Sequence, residues 1–223
     1  MMGADNHAGK AQADFFDQKS KAYLFGVYLG DGCCSKSRDS GYNFSLTSAD
    51  KDVVENVMHI VNKILQKNRQ LKIKMPNKTE LYFFRAYDKQ LFQMLTSETE
   101  SKSKLPKFVM DSEQIIKIEF IAGLMDTDGY ISTGKNKFGY QRFSLGFINS
   151  GKWINEFILL LETLGVKVGK KTLKKKYRSI NEKDCYQINI NLRSFVEAKM
   201  YFNCQRKQRL LEIYKSSVRY QSY

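Results

Sequence analysis

The sequence predicts an α+β protein made of two αββαββ units, related by a pseudo-two-fold axis, each with a four-stranded antiparallel sheet. The first observation is an internal repeat: YLFGVYLGDGCCS (Tyr23–Ser35) aligns with FIAGLMDTDGYIS (Phe120–Ser132) at a constant offset. The second is that strand-like and helix-like patterns follow each copy in the same order. The aligned residues include Gly26 with Gly123, Asp31 with Asp128, and Gly32 with Gly129.

Each copy begins with an apolar helix that ends in Asp-Gly. The stretch that follows in the first half, Tyr42–Leu65, parallels Gln141–Gly165 in the second half. In both, a run of alternating apolar and polar residues predicts a strand. A polar N-cap region and apolar residues at three- and four-residue spacing then predict a helix.

Two more strands and a closing helix complete each half. The predicted strands are Leu71–Met75 and Leu81–Tyr87 in the first half, and Lys170–Tyr177 and Cys185–Leu192 in the second. DKQLFQMLTS and SFVEAKMYFN predict the closing helices, and QRKQRLLEIYKSS predicts a last one. We therefore expect a flexible N-terminal arm (1–19), a first repeat (20–99), a linker (100–112) and a second repeat (113–223).

The charge of the chain indicates a polyanionic partner. The 223 residues carry a formal net charge of +14, which points to nucleic acid. The sequence has no apolar run of membrane-spanning length, so we expect no membrane partner. Four cysteines without a CxxC pair and two histidines disfavour a zinc site. The start has no hydrophobic signal core, and we expect an intracellular, reduced protein.

One face of the predicted strands carries the side chains that bind nucleic acid. Apolar residues alternate with Arg, Lys, Asn, Gln, Ser and Thr, and acids are almost absent from the polar face. A sheet face that only meets solvent would also be polar, but it usually mixes acids with bases. We expect DNA contacts from Asn43, Ser45, Thr47, Lys72, Lys74, Arg85, Arg142, Ser144, Lys174, Lys176, Gln187, Asn189 and Asn191.

The two motifs share one pair of carboxylates, Asp31 and Asp128, whereas Asp126 aligns with Leu29. Glycine inside a helix costs about 1 kcal/mol relative to alanine, so its presence in both motif helices favours close packing of one helix on the other. Such packing would bring the two carboxylates together. They would repel each other unless a cation lay beside them, and carboxylate and carbonyl oxygens suit Mg²⁺.

IAGLMDTDG (Ile121–Gly129) and the looser copy LFGVYLGDG (Leu24–Gly32) are similar to the LAGLIDADG signature. Nearly everything after residue 20 resembles a single-chain, two-repeat LAGLIDADG homing endonuclease. The resemblance implies a monomer that lays a saddle of two sheets over the major grooves of double-stranded DNA. It also implies cleavage of both strands across the central minor groove with Mg²⁺, where Ca²⁺ can substitute for binding and Mn²⁺ for cleavage.

The resemblance further implies roles for individual residues. Asp31 and Asp128 become metal ligands, together with the carbonyls of Gly30 and Thr127. A polar residue that orders water falls on Ser48 in the first half and on Asn149 in the second. The basic residue near each scissile phosphate falls on Lys104 and on Lys207, with Arg206 as the rival of Lys207.

Three alternatives stay open. The chain could be an RNA maturase that binds its host intron RNA, or a non-cleaving regulator on the same scaffold; retention of both aspartates favours cleavage. A basic structural module, such as a ribosome-associated protein, would not need matched Asp-Gly pairs. An intein is disfavoured, because it would need a nucleophile at its first residue and a terminal His-Asn pair, whereas this sequence begins with Met1 and ends with Tyr223.

Overall fold

Two αββαββ units follow one another along the chain, in the predicted order. The computed structural model describes residues 18–38, 41–74, 80–174 and 185–219. Lys176 lies outside the described residues, and the side chains of Lys74 and Lys174 also lie outside the described part. Within these ranges no helix has the length and apolar character needed to cross a membrane.

The first unit forms one antiparallel sheet with strand order β1-β2-β4-β3. Helix α1 spans residues 18–29 of the described chain. The elements that follow are β1 (Cys33–Ser37), β2 (Gly41–Ser48), α2 (Lys51–Leu65), β3 (Lys72–Lys74), β4 (Leu81–Tyr87) and α3 (Lys89–Glu98).

The second unit repeats this topology with strand order β5-β6-β8-β7. A short helix, α4 (Lys107–Met110), lies between the two units. The second unit consists of α5 (Gln114–Thr127), β5 (Gly129–Lys135), β6 (Gln141–Asn149), α6 (Ile154–Thr163), β7 (Thr172–Lys174), β8 (Cys185–Ile190), α7 (Leu192–Glu197) and α8 (Gln205–Arg219). The predicted fold of two four-stranded antiparallel sheets with helices is therefore confirmed.

The last strand is shorter than the sequence pattern predicts. β8 ends at Ile190, and Leu192 begins α7 and is buried. The Asn191 side chain accepts a hydrogen bond from the Ser194 N–H at 2.9 Å, which caps α7. Our expectation that Asn191 lies on the polar face of the last strand is wrong, because β8 ends before it and its side chain caps a helix.

The motif helices α1 and α5 pack directly on each other. A Cβ added to Gly26 would lie 2.2 Å from the Phe120 carbonyl oxygen, and one added to Gly123 would lie 2.3 Å from the Tyr23 carbonyl oxygen. Only glycine permits this backbone contact. α5 is apolar on nearly all sides because both repeats cover it, and one hydrophobic core contains residues of both repeats.

Candidate metal centre and nucleic-acid interface

The C-terminal ends of α1 and α5 meet at a joint that contains the two aspartates shared by the repeated motifs, Asp31 and Asp128. Asp31 follows α1, and Asp128 is the C-cap residue of α5, with its N–H donating to the Leu124 carbonyl at 3.0 Å. A Cβ added to Gly30 would lie 2.0 Å from Thr127 Oγ1 and 2.9 Å from Asp128 Oδ2. The end of one motif helix therefore contacts the end of the other.

The charges at this joint favour a bound cation. Burial and the neighbouring Asp31 carboxylate raise the pKa of Asp128 to about 7. Desolvation at the joint also raises the pKa of Asp31, although its side chain keeps contact with solvent. The ammonium groups of Lys102 and Lys207 oppose both shifts. A carboxylate whose pKa is raised by burial and by a second carboxylate is typical of a site that a cation completes, so the donor set fits a divalent ion.

The two halves differ at the position next to the carboxylate. The Asn149 side-chain amide donates to Asp128 Oδ2 at 2.7 Å, and its Oδ1 accepts from the Gly151 N–H. Continuing each strand register from the motifs places Ser48 at the matching position in β2. Ser48 Oγ accepts a hydrogen bond from the Asp50 N–H at 3.1 Å, which is equivalent to the bond from the Gly151 N–H to Asn149 Oδ1. Its side chain is too short to add the amide contact that Asn149 makes.

A lysine lies at the end of each motif helix. The Lys102 ammonium donates to the Gly30 carbonyl at 2.8 Å. The buried Lys207 ammonium donates to carbonyls at the end of α5, those of Met125 (2.9 Å), Asp126 (2.7 Å), Gly129 (2.7 Å) and Thr127 (3.5 Å). The last carbonyls of a helix have no intrahelical partner, so each ammonium is favourably placed there. Burial lowers the pKa of both lysines.

In the first half the lysine that lies at the joint is Lys102, and not Lys104, the residue that the sequence offered. The Lys104 ammonium is bound to Glu100 Oε1 at 2.7 Å on the surface. Glu100, Ser101 and Lys102 have φ values of 45°, 54° and 72°, which form a left-handed turn without glycine. This turn directs Lys102 to the joint. No glycine marks it in the sequence, so pattern reasoning missed it.

Arg206, the rival of Lys207, is engaged elsewhere. Its guanidinium forms a bidentate pair with the Asp50 carboxylate, with two N···O distances of 2.9 Å. This pair joins the start of α8 to the start of α2 and lowers the pKa of Asp50. Arg206 therefore links the two repeats, and Lys207 is the basic residue at the end of α5.

Asp126 is buried between the repeats. Its carboxylate accepts hydrogen bonds from the Tyr23 hydroxyl (2.8 Å) and from the N–H groups of Asn203 (3.1 Å) and Cys204 (3.0 Å). Burial raises the pKa of Asp126 to about 6. Asp126 and Asp128 are two residues apart, yet the Asp126 carboxylate accepts three hydrogen bonds between the repeats, whereas the Asp128 carboxylate accepts one from Asn149 and is affected by the charge of Asp31.

The polar face of the first sheet carries several of the predicted contact residues. Ser45 lies opposite Arg85, and Thr47 lies opposite Phe83, which in turn pairs with Lys72. Arg85 is exposed, and its guanidinium lies 5.0 Å from the centre of the Phe83 ring. Thr47 and Lys72 are also exposed. These side chains share one face, as the alternation predicts.

Asn43 differs from its neighbours on this face. Its side chain is only 4% exposed, and its amide donates to Ser35 Oγ at 2.9 Å. A direct contact with DNA by Asn43 is not supported, because neighbouring strands cover the side chain.

The polar face of the second sheet contains a hydrogen-bonded group centred on a tyrosine. Gln187 donates to the Tyr130 hydroxyl at 2.6 Å, and that hydroxyl donates to Asn189 Oδ1 at 3.3 Å. Exposed Arg142 and half-buried Ser144 lie on the same face, opposite β5. Sequence reasoning missed Tyr130, which follows the second motif directly; its strand alternation with Ser132 could have identified it.

Two features define the class of this protein. It consists of two αββαββ repeats, and each motif helix brings one carboxylate to the joint between α1 and α5. Residues 18–104 match the model of a LAGLIDADG-like domain, and residues 104–213 match the model of a homing endonuclease. The chain therefore belongs to the LAGLIDADG homing endonuclease family.

Solved structures share the fold at low sequence identity. The homing endonuclease I-DmoI is 20% identical with a TM-score of 0.57, over 82% of this chain and 93% of that one. I-WcaI, bound to its DNA recognition sequence, is 14% identical with a TM-score of 0.57, over 93% of this chain and 94% of that one.

A curated relative is a probable translation initiation factor IF-2 from Methanocaldococcus jannaschii. It is 24% identical over 204 residues, which make up 86% of this chain. The matched region spans only 16% of that relative's length.

Proposed function

We propose that the chain is a site-specific DNA endonuclease that hydrolyses one phosphodiester bond in each strand of a double-stranded target, across the minor groove. The observation that carries this proposal is the contact between the two motif ends that bear Asp31 and Asp128. The family supports it, as do the polar, acid-poor sheet faces and the net charge of +14. The related I-DmoI has been crystallised with DNA and Ca, and with DNA and Mn.

Asp31 and Asp128 would hold Mg²⁺. The main-chain oxygens of Gly30 and Thr127, which also accept from Lys102 and Lys207, would be further ligands through their second lone pairs. The chemistry that a divalent ion would supply at this site is activation of water and neutralisation of charge on the scissile phosphate. Ca²⁺ would support binding of DNA, and Mn²⁺ would support cleavage. The protein's own contribution is to hold two mutually repelling carboxylates together through the packing of α1 on α5.

Lys102 and Lys207 place a positive charge beside each carboxylate. In this position they would offset the negative charge that develops on the phosphate and the leaving oxygen. Asn149 fixes the orientation of the Asp128 carboxylate through its amide, and it would help to order a water molecule there. Ser48, which lacks that contact, would order water less well in the first half.

The sheet faces would read the target. Arg85, Lys72, Arg142, Gln187 and Asn189 lie on strands whose polar sides carry donors for base edges and phosphates. Because each repeat supplies one carboxylate, a single chain contains both half-sites and acts as a monomer. Binding should weaken steeply with added salt, since many phosphate contacts release counterions.

Cleavage of a randomised or genomic DNA pool tests the proposal. The wild-type chain with Mg²⁺ should linearise a selected site, and Asp31→Asn and Asp128→Asn should each lose double-strand cleavage, leaving a nick or intact DNA. Asp111→Asn, which changes an exposed carboxylate at the end of α4, is the matched control and should cut normally. Full double-strand cutting by either active-site variant would exclude this assignment. RNA binding without any DNA cleavage would favour the maturase alternative.

A further inference from the structure

We propose that Asp126 is a positioning residue that holds the start of α8 so that the Lys207 ammonium lies at the end of α5. The catalytic consequence rests on the proposed endonuclease function, whereas the positioning itself does not. Asp126 has no acidic counterpart in the first motif, where Leu29 stands.

The Asp126 carboxylate binds the segment that leads into α8. It accepts from the Asn203 N–H at 3.1 Å and from the Cys204 N–H at 3.0 Å, directly before α8 begins at Gln205. Lys207 is the third residue of that helix. A shift of the carboxylate would therefore move the first turn of α8 and the lysine with it.

The helix α8 in turn binds the end of α5, through the Lys207 side chain. The Lys207 ammonium donates to the carbonyls of Met125, Asp126 and Gly129 at 2.7–2.9 Å. The Asp126 carboxylate thus lies at the N-terminus of α8, and the Lys207 ammonium lies at the C-terminus of α5. Each charge is of the sign that the helix end favours, so the two residues stabilise one another's position.

A carboxylate is required here for a chemical reason. All three partners of Asp126 are donors: the Tyr23 hydroxyl and two main-chain N–H groups. An ionised carboxylate accepts from all three. Asparagine at this position has one acceptor oxygen and an amide group that would face at least one of these donors. Tyr23 belongs to the first repeat, so it fixes Asp126 from across the helix pair.

In the first half, a lysine is brought to the end of the motif helix in a different way. Lys102 arrives at the Gly30 carbonyl through the left-handed turn of residues 100–102. The role of Asp126 is consequently confined to the second half. Its loss should disturb the chemistry on one DNA strand more than on the other.

Lysine labelling of the folded chain tests the positioning without DNA. In the wild type, buried Lys207 should react slowly with an amine-reactive reagent, while Lys104, whose side chain is 43% exposed, serves as the internal reference. Asp126→Asn should raise Lys207 labelling about tenfold and leave Lys104 unchanged. Glu119→Gln is the matched control. Glu119 lies on the same helix and accepts a hydrogen bond from the Tyr201 hydroxyl at 2.6 Å in the same connecting segment, whereas the Asn203 and Cys204 N–H groups bind Asp126.

Unchanged Lys207 labelling in folded Asp126→Asn, or an equal rise in Glu119→Gln, would overturn the proposal. If Asp126→Asn fails to fold, Tyr23→Phe takes its place in the same comparison. This variant removes only the hydrogen bond from the Tyr23 hydroxyl to the Asp126 carboxylate. Unchanged Lys207 labelling in that variant would overturn the proposal too.

Strand-resolved cleavage supplies the second readout. Asp126→Asn should slow one strand about tenfold more than the other, because small displacements of a catalytic group have large effects on rate. Lys207→Met should slow cleavage of the same strand as Asp126→Asn does, and it should affect the other strand less. Equal slowing of both strands would contradict the positioning role. Wild-type chain that cuts no DNA would refute the endonuclease proposal, and the labelling result would still decide the positioning.

Discussion

The close packing of α1 on α5 predicts that Gly123→Ala destabilises the protein and separates its two carboxylates. The added methyl group would lie 2.3 Å from the Tyr23 carbonyl oxygen and 2.9 Å from the Val27 nitrogen. Both obstacles are main-chain atoms of α1, so no side chain can rotate away. The helices must separate by about 1 Å before the contact becomes an ordinary one.

The expected loss follows from two opposing effects. Overpacking a core costs about 1–3 kcal/mol, and contact with main-chain atoms on α1 places Gly123→Ala near the upper end. Alanine recovers about 1 kcal/mol through its higher helix propensity. The net loss in the free energy of unfolding is therefore about 2 kcal/mol, which lowers the Tm by about 4–8 °C. Because Asp31 and Asp128 follow the contact along both helices, DNA cleavage should fall by at least about tenfold.

Denaturant unfolding of the folded variant, followed by cleavage of a selected DNA site, checks both expectations. Gly134→Ala is the stability control, since a Cβ at that strand position meets nothing within 4 Å. Gly134→Ala should unfold at the wild-type denaturant concentration. A Gly123→Ala variant as stable as Gly134→Ala would refute the reasoning, because it would show that α1 and α5 separate at no cost.

Three further outcomes are expected. Lys102→Met should lower the cleavage rate at least about tenfold, because it removes the positive charge beside the first carboxylate, while Lys104→Met should cut normally; equal rates would contradict this. Ser48→Asn should bring the rates of the two strands closer in a nicking assay, because it supplies the missing amide. Arg206→Gln should lower the free energy of unfolding by about 1 kcal/mol at pH 7. Since Arg206 lowers the pKa of Asp50, that difference should vanish as the pH falls through the lowered value, below 3.8.

The fold and the paired carboxylates were predictable because they depend on local and repeated signals. Strand alternation and helix periodicity are set by neighbouring residues, and the internal repeat places Asp31 and Asp128 at equivalent positions. The end of the last strand was predicted wrongly. Asn191 continues the alternation, but its side chain favours capping α7, and this local bond outweighs the strand pattern.

The positions of Lys102 and Lys207 at the joint were harder to predict, because they depend on an unusual backbone turn and on a contact between residues far apart in sequence. Lys207 lies in a helix whose start is fixed by a carboxylate far away in sequence. Lys102 depends on three consecutive left-handed residues that carry side chains, a conformation that sequence patterns rarely indicate. The sequence offers Lys102 and Lys104 as near neighbours of equal charge, and only the turn decides which one reaches the joint.

The repeat sets equivalent positions, but it does not make the two halves chemically equivalent. Asp128 receives an amide hydrogen bond from Asn149, and its pKa is raised to about 7, while Asp31 stays in contact with solvent. Positions outside the signature therefore differ between the halves, and these positions orient the carboxylate and its lysine. An enzyme with this arrangement should cut its two strands at unequal rates, and Ser48→Asn changes that ratio without changing either carboxylate.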